Sequence, residues 1–480
     1  MQIRYAIAGL ALVTVSYVIY VILNSFIRSW RHAALARKWN TQDPPVLKSR
    51  LPFGIDLVHQ AIKSDKEMLF PLYCIELTEK VGALTYKYST LGSTNVSTVD
   101  EKNIQAILAT QFADFDLGPV RRGNFFPLLG NGIFTQDGAL WEHSRAMMRP
   151  QFARELVSDL ELEERHVQNL MKAIVIKPGD GWTDEVDLQV LFFRLTLDSA
   201  TEFLFGKSID SQLSALPSSS PFAADHGAEE SKFAYAFDKG QAILATRSRL
   251  QTFYFLYNPA VFRQCCQDCH EFIDQFVRLA LSKDQREKEL EKGTDGKQKY
   301  VFLEALAQQT RDPIELRSQL LHTLLAGRDT TASLLGWLFY CLARDTARYT
   351  KLRNIILEEF GTYENPKPIT FAKLKSCAYL QHCMNETLRI YPVVAVNARR
   401  ANKDTTLPRG GGPDGKSKIF VPKGTQVEYS VHVMHLRKDI WGPDAEEFIP
   451  ERWEGRKVGW EYLPVSALSF PVISTVHQYN

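Results

Sequence analysis

Five short motifs carry residue types that could do chemistry. Trp141-Glu-His-Ser-Arg145 sets an indole donor and a guanidinium at i and i+4, so on a helix both fall on one face. An amphipathic helix with a surface arginine would give the same pattern. Ala326-Gly-Arg-Asp-Thr-Thr331 places an acid and two hydroxyls among small residues, and Glu386-Thr-Leu-Arg389 is an i, i+3 ion pair on a helix that Pro392 ends. Phe448-Ile-Pro-Glu-Arg-Trp453 is a turn rich in charge and aromatics, a composition that a solvated loop shares. Cys265-Cys-Gln-Asp-Cys269-His270 has the Cys-x-x-Cys spacing and nearby His of many zinc sites. No second such pair exists, and charged helical residues flank it, so thiols on an ordinary helix and no metal site are expected.

The second motif lies in the clearest helix of the chain. Asp312 can cap it, Pro313 suits its first turn and Glu315 completes a capping box. Leu316, Leu320, Leu324, Leu334 and Leu338 carry one apolar face to about Ala343, roughly 45 Å if unbroken. Gly327 costs about 1 kcal/mol against Ala inside a helix, and either a local opening at a functional site or close helix packing would account for it. Strand-like pieces are few. Thr85–Ser89 with Asn95–Val99 reads as one hairpin, and Ile419–Val421 with Gln426–Val431 as another. The expected fold class is mainly α with a minor β part.

The chain has 480 residues and a formal net charge of +2, which offers nothing to a nucleic acid. Seven cysteines, odd in number and scattered, argue against a secreted disulfide framework and for reduced thiols in the cytosol. From Tyr5 to Leu23 no charged residue occurs, long enough to span a bilayer core of about 30 Å. That run exceeds the h-region of a cleaved signal, about 7–15 residues, and no small-x-small cleavage site follows. Arg28, Arg31, Arg37 and Lys38 follow the run while only Arg4 precedes it, which leaves the rest of the chain in the cytosol. The sequons at Asn95 and Asn385 would then never meet the glycosylation machinery. The expected organisation is a transmembrane anchor over 1–27, a basic and proline-rich hinge over 28–50, a catalytic domain over 51–464 and an aberrant tail over 465–480, with a surface loop at Ser214–Ser220.

In their order and spacing, the AGxDTT helix, the ExxR helix and the PERW loop resemble the cytochrome P-450 superfamily, and stretches such as LLAGRDTTASLLGWLFY and YLQHCMNETLRIYPVV are similar to the fungal n-alkane and fatty-acid hydroxylases. The resemblance implies that fold preceded by one transmembrane helix, and a haem monooxygenase on the endoplasmic reticulum membrane, single-pass, with its catalytic domain cytosolic. It would take electrons from NADPH through a membrane-bound reductase and insert one oxygen atom from O2 into a C–H bond of a hydrophobic small molecule, an n-alkane or fatty acid. Trp141, Arg145 and Arg399 match residues that hold the haem propionates. Asp329 and Thr330 match the acid and alcohol of the oxygen groove, where the helix opens, and would relay protons. Glu386, Arg389 and Arg452 match a buried structural triad whose loss strands a charge at roughly 3–5 kcal/mol. Phe115–Phe134, Phe233–Phe253, Leu324, Leu325 and Val393–Asn397 would line the substrate pocket.

The family continues past Pro464 into FxxGxRxCxG, whose cysteine thiolate binds the iron and favours O–O cleavage. Here the sequence reads Val465-Ser-Ala-Leu-Ser-Phe-Pro-Val-Ile-Ser-Thr-Val-His-Gln-Tyr-Asn480, with Val472 in the cysteine's register and His477 outside it. The axial cysteine is absent, so no metal ligand is expected. Val465-Ser466 is what the splice-donor sequences GTAAGT and GTGAGT encode in frame, and a tail read through from an intron is the expectation. A noncatalytic membrane-bound remnant or splice product is therefore the alternative to the monooxygenase.

Overall fold

The computed structural model describes residues 2–153, 159–177, 179, 181–216, 228–282 and 300–464. The tail at 465–480, with Val472 and His477, and the end of the Ser214–Ser220 patch lie outside them. The first helix, α1, runs without a break over Gln2–Lys38, roughly 55 Å at 1.5 Å per residue. It holds a segment, Leu12–Lys38, long and apolar enough to cross a membrane. The basic stretch expected to begin a hinge at residue 28 instead continues this helix. Its end is held: Arg31 Nη2 lies 3.4 Å from Asp404 Oδ2, Trp39 packs 5.7 Å from the Phe420 ring, and Gln42 N–H donates to Lys418 O.

Two sheets follow. The larger has β1 (Val46–Leu47), β2 (Thr85–Thr90), β3 (Ser93–Thr98), β4 (Phe115–Asp116), β5 (Val396–Ala401) and β8 (Gln426–Ser430), in the order β1-β2-β3-β8-β5-β4; the smaller pairs β6 (Thr405–Gly411) with β7 (Ser417–Val421). The first expected hairpin forms as β2 against antiparallel β3. The second does not. β7 pairs with β6, whereas β8 runs parallel to β3 and antiparallel to β5. Both strands have the right alternation, but Pro422, Lys423 and Gly424 turn the chain from one sheet to the other, with Gly424 N–H on Ala401 O.

The chemistry-bearing motifs sit on helices packed beside this sheet. We number α2 (Ile55–Lys66), α3 (Phe70–Val81), α4 (Pro119–Leu129), α5 (Gly138–Met148), α6 (Leu188–Phe205), α7 (Ala228–Arg249), α8 (Ala260–Ser282), α9 (Pro313–Arg344) and α10 (Ala378–Ile390). α9 is the predicted long helix, about 48 Å at 1.5 Å per residue. Leu316, Leu320 and Leu324 are fully buried in the main core with Leu204 of α6, Phe237 of α7 and Ile273 of α8. Asp312 caps α9, its Oδ1 accepting from Ile314 N–H at 2.9 Å. The expected capping box does not close. Glu315 instead accepts from Thr310 Oγ1 at 2.6 Å, and Thr310 takes the Asp312 N–H. Cys265, Cys266 and Cys269 are buried on α8, and His270 meets Leu128 O at 2.9 Å. No group of three metal-ligating side chains occurs among the described residues.

Candidate functional site

Asp137 organises one side of the site. Its carboxylate accepts from Leu117 N–H at 2.7 Å and Gly118 N–H at 2.9 Å, which joins the start of α5 to the turn that begins α4. On α5 the Arg145 guanidinium lies 5.0 Å from the Trp141 ring centroid, so the i, i+4 pair forms as a cation–π contact. Arg145 is exposed and has no carboxylate partner among the described residues. On β5, Arg399 is buried, and its Nη1 donates to Ala398 O at 2.8 Å and to Asn397 Oδ1 at 3.4 Å. From α4, Arg121 Nη1 reaches the same Asn397 Oδ1 at 2.8 Å, while its Nε has no partner. Burial and the nearby Arg399 bring the Arg121 guanidinium down to about 10. Two guanidiniums thus converge on one amide oxygen without a carboxylate between them, a place that calls for an anion. Arg121 was not legible in the sequence, because an arginine opening a helix carries no signal of its own.

The middle of α9 forms the second side. The helix stays α-helical through Ala326–Thr331, so the expected opening is not there; Thr330 Oγ1 donates to Ala326 O at 2.8 Å, one turn back. Nor does close packing explain Gly327. A Cβ at that position would meet nothing within 4 Å, so Gly327 borders open space. Asp329 Oδ1 is buried without a hydrogen-bond partner, with Arg328 Nη1 3.4 Å away. Burial is the first cause that raises the Asp329 carboxyl to about 6; Asp238 adds to it, while Arg328 and Gln241 oppose it. Arg328 is itself buried, paired with Asp238 of α7 and set 5.1 Å from the Phe193 ring of α6.

Because the folded state holds the Asp329 proton more tightly than the unfolded chain does, stability falls as pH rises from about 4 to about 6 and is level above. Part of the side chain, 29 %, faces the groove, which reduces the effect to about 1–2 kcal/mol. Asp329→Asn is expected to stabilise the protein by that amount at pH 8 and to leave it unchanged at pH 4, read as urea midpoints. Equal midpoints for the two proteins at pH 8 would refute it.

Glu386, Arg389 and Arg452 come together as expected. Glu386 and Arg389 are fully buried. Glu386 accepts from Arg389 Nε at 2.8 Å and Nη2 at 2.9 Å, from Arg452 Nε at 3.3 Å, from Ile449 N–H at 3.0 Å and from Trp453 Nε1 at 3.0 Å. The Phe448–Trp453 stretch is therefore not a solvated loop but the lid on this pair.

A cavity of about 380 Å³ opens beside the sheet, within the range of small-molecule sites. Leu117, Phe125, Ala245, Val394 and Val396 line it, as the expected segments allowed. Leu324 and Phe233 do not; both are buried in the main core, with Phe233 stacked 4.3 Å from Phe272. Leu325 packs against that core as well. In their place stand Val58 and Ala61 of α2, Tyr73 of α3 and Tyr88 of β2, from a part of the sequence with no motif to mark it.

Whether these residues fit a haem has two answers. Arg121 and Arg399 at Asn397, and Arg145 beside Trp141, are cationic groups of the kind that its two propionates would need, and a side chain at Gly327 would meet nothing within 4 Å. The axial thiolate is not among these 480 residues. All seven cysteines are free and buried, none follows Cys383, and burial pushes the Cys341 and Cys383 thiols up to about 12, far from the ionised form that binds iron.

Comparison with known proteins places the chain in context. The family model described as Cytochrome P450 matches residues 50–470, a few residues past Pro464. Cytochrome P450 monooxygenase g430 of Fusarium sp is 59% identical over 465 residues, covering 97% of this chain and 81% of the relative. Cytochrome P450 monooxygenase alt2 of Alternaria solani is 43% identical over 93% of this chain and 84% of its own length. Cytochrome P450 52A13 of Debaryomyces hansenii is 46% identical over 86% and 78%.

Proposed function

The chain belongs to the cytochrome P450 family of haem monooxygenases, and on that premise we propose that it inserts one oxygen atom from O2 into a C–H bond of an n-alkane or fatty acid. What supports this reading is the similarity to cytochrome P450 52A13 of Debaryomyces hansenii, to cytochrome P450 52A6 of Candida tropicalis and to the Fusarium protein, over 86%, 89% and 97% of the chain. Electrons come from NADPH through a reductase on the same membrane. α1 anchors the protein in the endoplasmic reticulum, single-pass, with the catalytic body in the cytosol.

When bound, haem supplies the activation of oxygen. The chain's own residues do the rest. Trp141, Arg145 and Arg399, joined by Arg121, would hold the two propionates by charge and hydrogen bonding. Asp329, titrating near neutrality, holds a proton at its carboxyl and passes it by way of water to the Thr330 hydroxyl. Glu386, Arg389 and Arg452 do not react; they fix the packing of α10 against the Phe448–Trp453 turn. The cavity between α2, α3, α7 and the sheet takes the alkyl chain along its apolar lining.

The test supplies the missing ligand. With residues 465–480 replaced by a segment of the form FxxGxRxCxG and a reductase co-expressed, microsomes are expected to convert dodecane or dodecanoate to hydroxylated products. The conversion should need NADPH and carry one atom of labelled O2. A thiolate-ligated haem without turnover of either substrate would overturn the substrate assignment.

A further inference from the structure

The cavity is not uniformly apolar. Along one face of the larger sheet the register sets Tyr86, Ser97, Glu428 and Ala398 in one row, and Leu47, Tyr88, Asn95, Gln426 and Arg400 in the next. Glu428 is the acidic residue that lines the cavity. The residue is half-buried, and Tyr88 Oη lies 3.5 Å from its Oε2. No cation lies within 4 Å of it among the described residues.

Each cation near the cavity is engaged elsewhere. Arg249 of α7 donates through Nε (3.3 Å) and Nη2 (2.9 Å) to Asp65 Oδ1 of α2, with its guanidinium 3.4 Å over the Phe70 ring. Arg400 donates to Gly424 O at 2.9 Å, and Arg121 to Asn397. Burial raises the Glu428 carboxyl, opposed by Arg249 and by the Tyr88 hydrogen bond, and burial likewise raises the Tyr88 hydroxyl. Burial thus favours the uncharged form of both groups in the cavity wall. Together they offer an O–H donor and a carbonyl acceptor within one hydrogen-bond length of each other, amid Val58, Ala61, Tyr73 and Leu77.

We propose that Glu428 and Tyr88 form a head-group site for the uncharged hydroxyl end of a long alkyl chain, a long-chain primary alcohol. A hydroxyl both donates and accepts once, and it matches this pair without bringing charge into a low-dielectric wall. A carboxylate would face a carboxyl group whose nearest guanidinium is already held by Asp65. A plain alkane would leave the pair only its own long 3.5 Å contact. The proposal deepens the reading of the chain as an alkyl-chain hydroxylase and rests on it: the tube that binds the alkane also sorts chains by their polar end.

The experiment is binding of dodecanol, dodecanoate and dodecane to the full chain in phospholipid nanodiscs at neutral pH, by calorimetry with empty nanodiscs subtracted. The expected result is dodecanol binding about tenfold more tightly than dodecane, with dodecanoate no tighter than dodecane. Glu428→Leu should abolish the preference by weakening dodecanol binding, with dodecane bound at least as tightly as by the unaltered chain, which also reports that the cavity is intact. Glu428→Gln, which keeps a donor and an acceptor, should retain most of the preference. If Glu428→Leu does not fold, Tyr88→Phe serves in its place, with a loss of several-fold in dodecanol binding alone. Dodecanoate binding more tightly than dodecanol, or a preference that survives both Glu428→Leu and Tyr88→Phe, would overturn the proposal. Failure of every ligand to bind would instead count against the alkyl-chain reading itself and remove the head-group site with it.

Discussion

The 480-residue polypeptide, expressed with excess haem and reduced under carbon monoxide, should give no red-shifted difference band of a thiolate-ligated iron. The band needs an ionised cysteine on the iron. The sequence has none after Cys383, and where it has cysteines the fold buries them as thiols: Cys266, Cys341 and Cys383 are pushed up to about 12 by burial. A thiol held so far above neutral pH is ionised in roughly one molecule in 10⁵ at pH 7. The control is the version carrying FxxGxRxCxG in place of 465–480, which should give the band. Its appearance in the unaltered chain would show that one of the seven cysteines leaves its packed position, and substituting each by alanine would identify which.

Replacing Glu386 by alanine should destabilise the protein by roughly 3–5 kcal/mol, a large share of the about 5–15 kcal/mol that holds a domain folded. The change removes five hydrogen bonds at once. It also leaves the fully buried Arg389 with carbonyl partners only, at His435, Ala445 and Glu447. Glu386→Gln keeps acceptors for Trp453 and Ile449 and should lose less. The measurement is the urea midpoint of the membrane-extracted protein, or the yield of soluble protein if the alanine variant does not accumulate. A midpoint within experimental error of wild type for Glu386→Ala would show that the triad does not hold α10 to the Phe448–Trp453 turn.

Within the triad only the Glu386–Arg389 pair was legible from local spacing, and Arg452, 66 residues from Glu386, was joined to it by the family resemblance alone. Glu386 and Arg389 lie one helical turn apart, and Arg452 sits in a turn whose aromatic and proline content sets it apart from its surroundings. The length and cap of α9 were legible for the same reason, since its apolar period runs on for several turns from Asp312-Pro313. What failed was pairing across distance. Ile419–Val421 and Gln426–Ser430 alternate correctly, yet alternation states that a strand has two faces and not which neighbour it joins. Glu315 had the right offset for a capping box, but Thr310, just before the helix, competed for it. Arg121 and Tyr88 gain their significance only from Asn397 and Glu428, hundreds of residues away in the chain, and no period links them. Gly327 shows a subtler limit: two explanations were open from composition, and the space beside it excluded one while the unbroken helix excluded the other.

The continuity of α1 has a mechanical consequence. Its last turns are clamped to β7 and the turn before β6, through Arg31 to Asp404 and Trp39 to Phe420, ahead of Pro44 and Pro45. The prolines therefore give the catalytic body no swivel. Once α1 spans a bilayer, the membrane segment and the body turn as one shaft, and the azimuth at which the cavity faces the lipid surface is set by the count of residues between span and clamp. Adding a single residue within that shaft would rotate the body by about 100° and lift it by about 1.5 Å, whereas adding a full turn would lift it with almost no rotation. Helix length here works as a key that indexes the cavity against the plane of the membrane.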